Sequence, residues 1–230
     1  EKRASRTTSE GIIVVKSVNS KAVMAELTCE TDFVAKNADF IAAGDKIAET
    51  ALAKGYTDVE KELNDMILDL ATRVRENMSL RRLIAIQAGA DEYISNYVHS
   101  DKKTGVLVVL KSDKPEAFAD KALQDFAYDC CLHAAAFTPL YVRKEDVDAA
   151  YIDEQLEVFR GQVADLDKPA NVKDGIIKGK LNKHLSEICF LEQAFVKDDK
   201  FSVAAKMKEV GKQLGTNISL SKLVLWQLGQ

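Results

Sequence analysis

Gly11-Ile12-Ile13-Val14-Val15-Lys16-Ser17 and Ala22-Val23-Met24-Ala25-Glu26-Leu27-Thr28-Cys29 are two short, largely apolar runs separated by Asn19-Ser20-Lys21. Asn and Ser favour turns because their short polar side chains bond the local backbone. Apolar runs on either side of such a turn predict a β-hairpin. A helix is expected from about Asn37 to Lys54, with Phe40, Ile47 and Ala51 on one face. Gly55-Tyr56-Thr57-Asp58 ends it and offers Thr57 or Asp58 as the next N-cap. Leu63, Met66, Ile67, Leu70 and Val74 form the clearest amphipathic stripe in the chain. Leu83-Ile84-Ala85-Ile86 reads as a further strand.

The pattern then recurs. Tyr93 to His99 alternates as a strand, Asp101-Lys102-Lys103-Thr104 is a turn, and Gly105 to Leu110 is a second strand. Pro115 suits the first turn of a helix, where its missing N–H costs nothing. Leu123, Phe126, Ala127, Cys130 and Ala134 lie on one side of the helix that follows. The two copies share architecture, not residue identity. Between Val147 and Ile188 the pattern changes. Ile152, Leu156, Phe159 and Val163 form one narrow stripe, a break runs from Asp165 to Pro169, and Asn171 is placed to cap a second helix carrying Val172, Ile177, Leu181 and Ile188. Narrow stripes with polar flanks predict two antiparallel helices standing off the body. Ser202 is expected to cap a last helix with Val203, Met207 and Val210, and a strand through Leu220 to Leu228 closes the chain. The fold class is therefore α+β: two similar subdomains, each an antiparallel sheet with packed helices, plus a protruding helical hairpin. The boundaries are 11–97 for the first subdomain and 98–230 for the second, with the hairpin at about 147–188.

Composition narrows the function classes. The 230 residues are 47% hydrophobic and 30% charged, enough apolar material for a real core. Lys plus Arg number 32 and Asp plus Glu 36, giving a net charge of −4. Nucleic-acid affinity comes mostly from cations that neutralise phosphates, so no direct nucleic-acid partner is expected. Apolar stretches such as Gly105 to Leu110 are far too short for a membrane span. Cys29, Cys130, Cys131 and Cys189 contain no C-x-x-C pair and read as reduced, buried thiols in a reducing compartment. His99, His133 and His184 are isolated and read as surface or helix-face residues. No metal cluster and no glycine-rich phosphate loop is present in the sequence. Cys130 and His133 share a helix face at i and i+3. A cysteine hydrolase built on them is the remote alternative to an apolar helix face.

Thr28-Cys29-Glu30-Thr31-Asp32-Phe33-Val34-Ala35-Lys36-Asn37 joins a strand to a helix. A corner Asp is ordinarily a cap, and a corner Phe ordinarily folds back as a staple. Cys29 to Asn37 nevertheless resembles the signature of the elongation factor Ts family, the guanine-nucleotide exchange factors of elongation factor Tu. Further matches follow in order: Glu76-Asn77-Met78-Ser79-Leu80-Arg81-Arg82 is similar to the family's Glu-Asn-Ile-x-x-Arg-Arg, and Thr104 to Val108 to its Ile-Gly-Val-Leu-Val strand. His133-Ala134-Ala135 with Pro139, Gly179 to Lys183, and Ile188 to Asp199 continue the resemblance to the end of the chain.

The resemblance implies an exchange factor without catalytic residues, cofactor or metal of its own. Its partner is elongation factor Tu, and GDP and GTP are reached only through that partner. Thr31, Asp32, Phe33 and Val34 then project towards the partner's Mg²⁺ and switch region. A second contact area comprises Thr104, Gly105 and His133, with Phe195, Val196 and Lys197 in another contact region. The alternative is a structural partner that holds elongation factor Tu without promoting exchange. The family points to the bacterial cytoplasm, leaves an organellar matrix open, and leaves homodimer formation undecided. Its members begin with a small helical domain, so residues 1–10 are expected to be the linker after it. Two departures stand out. Thr104 occupies a position where Ile is common, and Leu225-Trp226-Gln227-Leu228-Gly229-Gln230 replaces the usual Arg-Phe-x-Val-Gly-Glu, with Trp226 expected in the core.

Overall fold

The computed structural model describes residues 5–230. Strands β1 (Glu10–Val18) and β2 (Lys21–Cys29) form the expected hairpin, pairing from Glu10 with Cys29 to Val18 with Lys21. Asn19 takes a φ of 54° at the turn, a left-handed value that Asn tolerates better than most residues. After the short helix α1 (Asp32–Ala35), helix α2 (Ala38–Lys54) starts from the Asn37 side chain, which accepts the Asp39 N–H. Helix α3 (Lys61–Val74) starts later than the sequence predicts. Its N-cap is Glu60 rather than Thr57 or Asp58, and the Asp58 carboxylate is taken by the adjacent Val59 N–H. Strand β3 (Met78–Gln87) then pairs with β2 to give a sheet in the order β1-β2-β3.

Strand β4 (Glu92–Val98) pairs with β5 (Thr104–Ser112), and the closing strand β8 (Ile218–Gln227) adds to the other side of β5. The division expected at 97/98 would cut this second sheet. Tyr93 and Tyr97 pack on the second hydrophobic cluster, so β4 belongs to it and the chain crosses between sheets before Glu92. Helix α4 (Lys121–Phe137) and helix α7 (Val203–Leu214) cover the outer face of this sheet. Ser202 caps α7 as expected, accepting the Ala205 N–H. Between the two helices lie α5 (Ala149–Val163), α6 (Ala170–Ile188) and a small ribbon of β6 (Ala194–Phe195) and β7 (Asp198–Ser202), the last not foreseen from the sequence.

Successive strand residues point to opposite faces, and this alternation explains how the sheets pack. Val23, Ala25 and Leu27 of β2 meet the helices, whereas Ala22 and Met24 meet the other sheet. In β5, Val106, Val108 and Leu110 face helices, while Leu107 and Val109 face Ile13, Met24 and Ile86 across the interface. The molecule is thus a face-to-face pair of sheets with helices outside each. Glu26 lies on the inter-sheet face and is fully buried, so it needs partners. Arg81 Nη1 lies 2.8 Å and Arg82 Nε 2.5 Å from its two oxygens, and the Gly229 N–H donates to it at 3.0 Å. The Arg82 guanidinium stacks 4.2 Å from the Trp226 ring, which packs between the sheets and not in either helical core.

The helical hairpin is rooted by Val147, Leu185 and Cys189, with Tyr141, Tyr151 and Leu181 packed around them. Pro169, rather than Asn171, precedes its second helix. At the other end of the chain, residues 1–4 of the expected linker lie outside the described residues. Glu10 is already strand, and the Arg6 carbonyl accepts from Asn77 Nδ2 at 2.8 Å.

Candidate functional site

β2 ends at Cys29, opposite Met78 of β3. Beyond that pair, side chains take over from the backbone ladder. Glu76 Oε2 accepts the N–H groups of Glu30 and Thr31, each at 3.2 Å, and its Oε1 accepts the Thr31 hydroxyl at 2.7 Å. Glu30 Oε1 in turn accepts the Asn77 N–H at 2.6 Å. Thr31 is extended (φ −122°, ψ 152°) and caps α1, its hydroxyl accepting the Val34 N–H at 3.3 Å. Thr31, not Asp32, is therefore the cap. Val34 and Ala35 turn inward and are buried, which leaves Phe33 facing out at 83% exposure. The staple arrangement is not adopted.

Asp32 sits beside Phe33 and pairs with Lys36 Nζ at 2.8 Å, i to i+4 on the surface. The Lys36 ammonium holds the carboxyl below the usual carboxylate range, so Asp32 is ionised at neutral pH. The corner borders a cleft of about 600 Å³ whose far wall is the Ser100–Lys103 turn. The Ile13 N–H donates to the Lys102 carbonyl at 2.7 Å, and Lys103 pairs with Glu10 at 2.8 Å. Thr104 follows that turn as the first residue of β5, paired with Gln227 of β8. Gly105 is buried between the sheets. A Cβ there would lie 2.5 Å from Ile13 Cγ2 and 2.8 Å from Met24 Sδ, so the close approach of the sheets leaves no room for a side chain.

His133 lies on a helix, one of the two places expected for it, but its side chain is not at the surface. It is fully buried in α4. Nδ1 accepts the Val196 N–H at 3.1 Å, and Nε2, which must then carry the proton, donates to Gln193 Oε1 at 2.9 Å. Burial holds the imidazole below its ordinary pKa, partly opposed by the Gln193 bond. Phe137 stacks on the ring at 4.7 Å, and Phe195, 2% exposed, lies behind. Val196 and Lys197 point outward, Lys197 3.4 Å from Asp129. Phe137 and Leu140, 50% and 67% exposed, were not singled out from the sequence. The signal for Phe137 is its i+4 spacing from His133 at the end of an apolar helix.

Thus the expected contact residues fall into two surfaces. Thr31 to Val34 form one corner; Val196 and Lys197 belong to another surface, with His133 and Phe195 beneath it. Catalytic use of the cysteines is opposed by their surroundings. All four are buried, both His133 nitrogens are occupied, and burial pushes the Cys130 thiol well above its ordinary value and the Cys131 thiol up to about 12. Among the described residues no group of three or more His, Cys, Asp or Glu is placed to hold a metal ion, and no helix is long and apolar enough to cross a membrane.

Residues 30–230 match the family model described as Elongation factor TS. A protein of Treponema denticola named Elongation factor Ts is 72% identical over 229 residues, covering 100% of this chain and 82% of its own length. Elongation factor Ts of Treponema pallidum (strain Nichols) is 55% identical over 240 residues, covering 100% of this chain and 83% of its own. That of Borrelia recurrentis is 39% identical over 231 residues, with 100% and 83% covered. With a family match that includes the Thr31–Val34 corner and runs to the last residue, the chain belongs to the elongation factor Ts family.

Proposed function

We propose that this chain, a translation elongation factor of the nucleotide-exchange type, speeds GDP release from elongation factor Tu by pushing Phe33 and Asp32 into the partner's Mg²⁺ and phosphate site. It remains bound until GTP enters. The observation that carries the reading is the 83% exposure of Phe33 on a corner braced from behind. An aromatic ring held in water gains its transfer free energy when a partner encloses it. Wedging between partner side chains displaces the groups that hold Mg²⁺, and a β-phosphate without its cation is bound less tightly. The chain needs no phosphate-binding motif for this, because it never touches the nucleotide.

Thermodynamic reciprocity sets the size of the interface. Factor and GDP weaken each other equally on the same partner, and a 10⁴-fold mutual weakening requires about 5.5 kcal/mol of differential interaction. One ring does not supply all of it, so further contact is required. Val196 and Lys197, with the exposed Phe137 stacked on the same His133 ring that accepts the Val196 N–H, supply a second surface. That the similar proteins are bacterial supports the bacterial cytoplasm as the compartment where this reading has the chain act. The test is stopped-flow release of fluorescent GDP from elongation factor Tu with and without the chain. A faster release rate that rises with chain concentration is expected. Binding with an unchanged GDP off-rate refutes exchange and leaves a structural partner.

A further inference from the structure

We propose that Glu76 is a positioning residue for exchange: its carboxylate fixes the Thr31–Ala35 turn in the conformation that keeps Phe33 outside. The inference rests on the Phe33 reading above.

A helix of four residues has no stability of its own, since nucleation costs more than one turn of hydrogen bonds returns. α1 therefore depends on what surrounds it. Val34 and Ala35 anchor it from below, and the Thr31 hydroxyl caps it. Glu76 acts on the remaining free end. Its two oxygens take the last two N–H groups of the chain leaving β2 and the hydroxyl proton of the cap itself. Bonding to the carboxylate turns the Thr31 hydroxyl so that its lone pair faces the Val34 N–H. Glu30 reciprocates on the Asn77 N–H, so two segments 45 to 47 residues apart clamp each other where the ladder stops. Hydrogen bonds to an ionised acceptor are the stronger kind. All of them lie within or just before the turn that carries Phe33, and none involves Phe33 itself.

Removing the carboxylate leaves partly exposed donors that water satisfies, so the turn loosens and the fold survives. A loosened turn lets Phe33 fold back as a staple, the ordinary fate of a hydrophobic residue at a helix start. Only the fraction of molecules with the ring outside remains competent, and the apparent activity falls by that fraction.

The experiment compares Glu76→Ala, Glu76→Gln, Phe33→Ala and the double variant Glu76→Ala/Phe33→Ala in stopped-flow GDP release from elongation factor Tu. Amide hydrogen exchange over residues 30–35 is followed in parallel. Glu76→Ala is expected to slow release about tenfold, and Glu76→Gln, whose amide oxygen still accepts N–H groups, only about two- to threefold. In the Phe33→Ala background Glu76→Ala should add nothing, because the two act through one ring. Faster amide exchange confined to residues 30–35 should accompany the loss. A wild-type rate for Glu76→Ala beside a slow Phe33→Ala overturns the positioning role and leaves the wedge intact. A wild-type rate for Phe33→Ala overturns the wedge itself. An equal loss from Glu76→Ala with and without Phe33 shows that Glu76 works by another route and also overturns the inference. Should Glu76→Ala fail to fold, Glu76→Gln decides: slower release with faster local exchange supports the role, and unchanged release overturns it.

Discussion

Replacing Phe33 by Ala removes a ring that makes almost no use of its own protein. At 83% exposure the side chain contributes little packing to the folded state, so the urea midpoint should move by no more than about 0.5 kcal/mol in stability. The exchange reaction should respond very differently. Enclosing a phenyl ring is worth about 2–3 kcal/mol at the usual area coefficient, which corresponds to about 30- to 150-fold in rate if the ring is enclosed when GDP leaves. The assay is single-turnover release of fluorescent GDP from elongation factor Tu at several factor concentrations. Phe33→Leu, which keeps an apolar side chain of smaller area, should fall between the two. Stability and release thus separate cleanly, and that separation distinguishes a wedge from a structural residue. An Ala variant that releases GDP at the wild-type rate across the concentration series would refute the reasoning.

The other expectations concern groups buried behind the surfaces. Burial depresses the folded-state pKa of His133, so the unfolded chain takes up the proton more readily. Stability should therefore be full above the usual imidazole value of 6.5 and be lost as pH falls through the folded value. Urea titrations between about pH 7.5 and 5.5 should show this slope in the wild type and a smaller one in His133→Gln. Glu26→Ala strands Arg81 and Arg82 without their carboxylate. Because both arginines reach solvent, the loss should be about 2–3 kcal/mol in urea unfolding, below that of a wholly buried pair. Iodoacetamide at about pH 8 should leave the native thiols untouched and GDP release unaffected, since only the thiolate reacts; rapid labelling of native Cys130 would contradict its burial.

Much of the fold is legible because its elements are long enough to show a period. The helices at Ala38–Lys54 and Lys121–Phe137 and the first hairpin follow from apolar spacing and turn residues. Face assignment is not legible in the same way. Ile12 and Ile13 are adjacent and both buried, one under helices and one against the other sheet, and an apolar run buried on both faces carries no alternation. The subdomain boundary fails for a related reason, since strand runs do not name their partners and β4 chooses β5. The start of α3 is missed because Asp58 spends its carboxylate on its own neighbour's backbone. His133 looks like a lone polar residue on a helix. Its partners, Gln193 and the Val196 backbone, lie about sixty positions away, and nothing local announces them.

The direction of Phe33 is the sharpest case, because four residues hold no period to read. Whether the ring folds in or out depends on Val34 and Ala35 finding the core and on Glu76 arriving from the end of another strand. The same construction recurs at the second surface. Phe195 turns in, Val196 and Lys197 turn out, and a buried polar side chain from α4 holds the backbone between them. An exchange factor gains from this in a specific way. A ring resting on its own protein at an advantage of about 1 kcal/mol would lower the competent fraction about sixfold, and ordering a loose loop on contact would cost about as much again for each side chain fixed. Holding both projecting segments from behind avoids these losses before the partner arrives. On the proposed reading, Glu76 and His133, which brace the projecting segments from within, would set how much of each surface's transfer free energy is available for displacing the nucleotide.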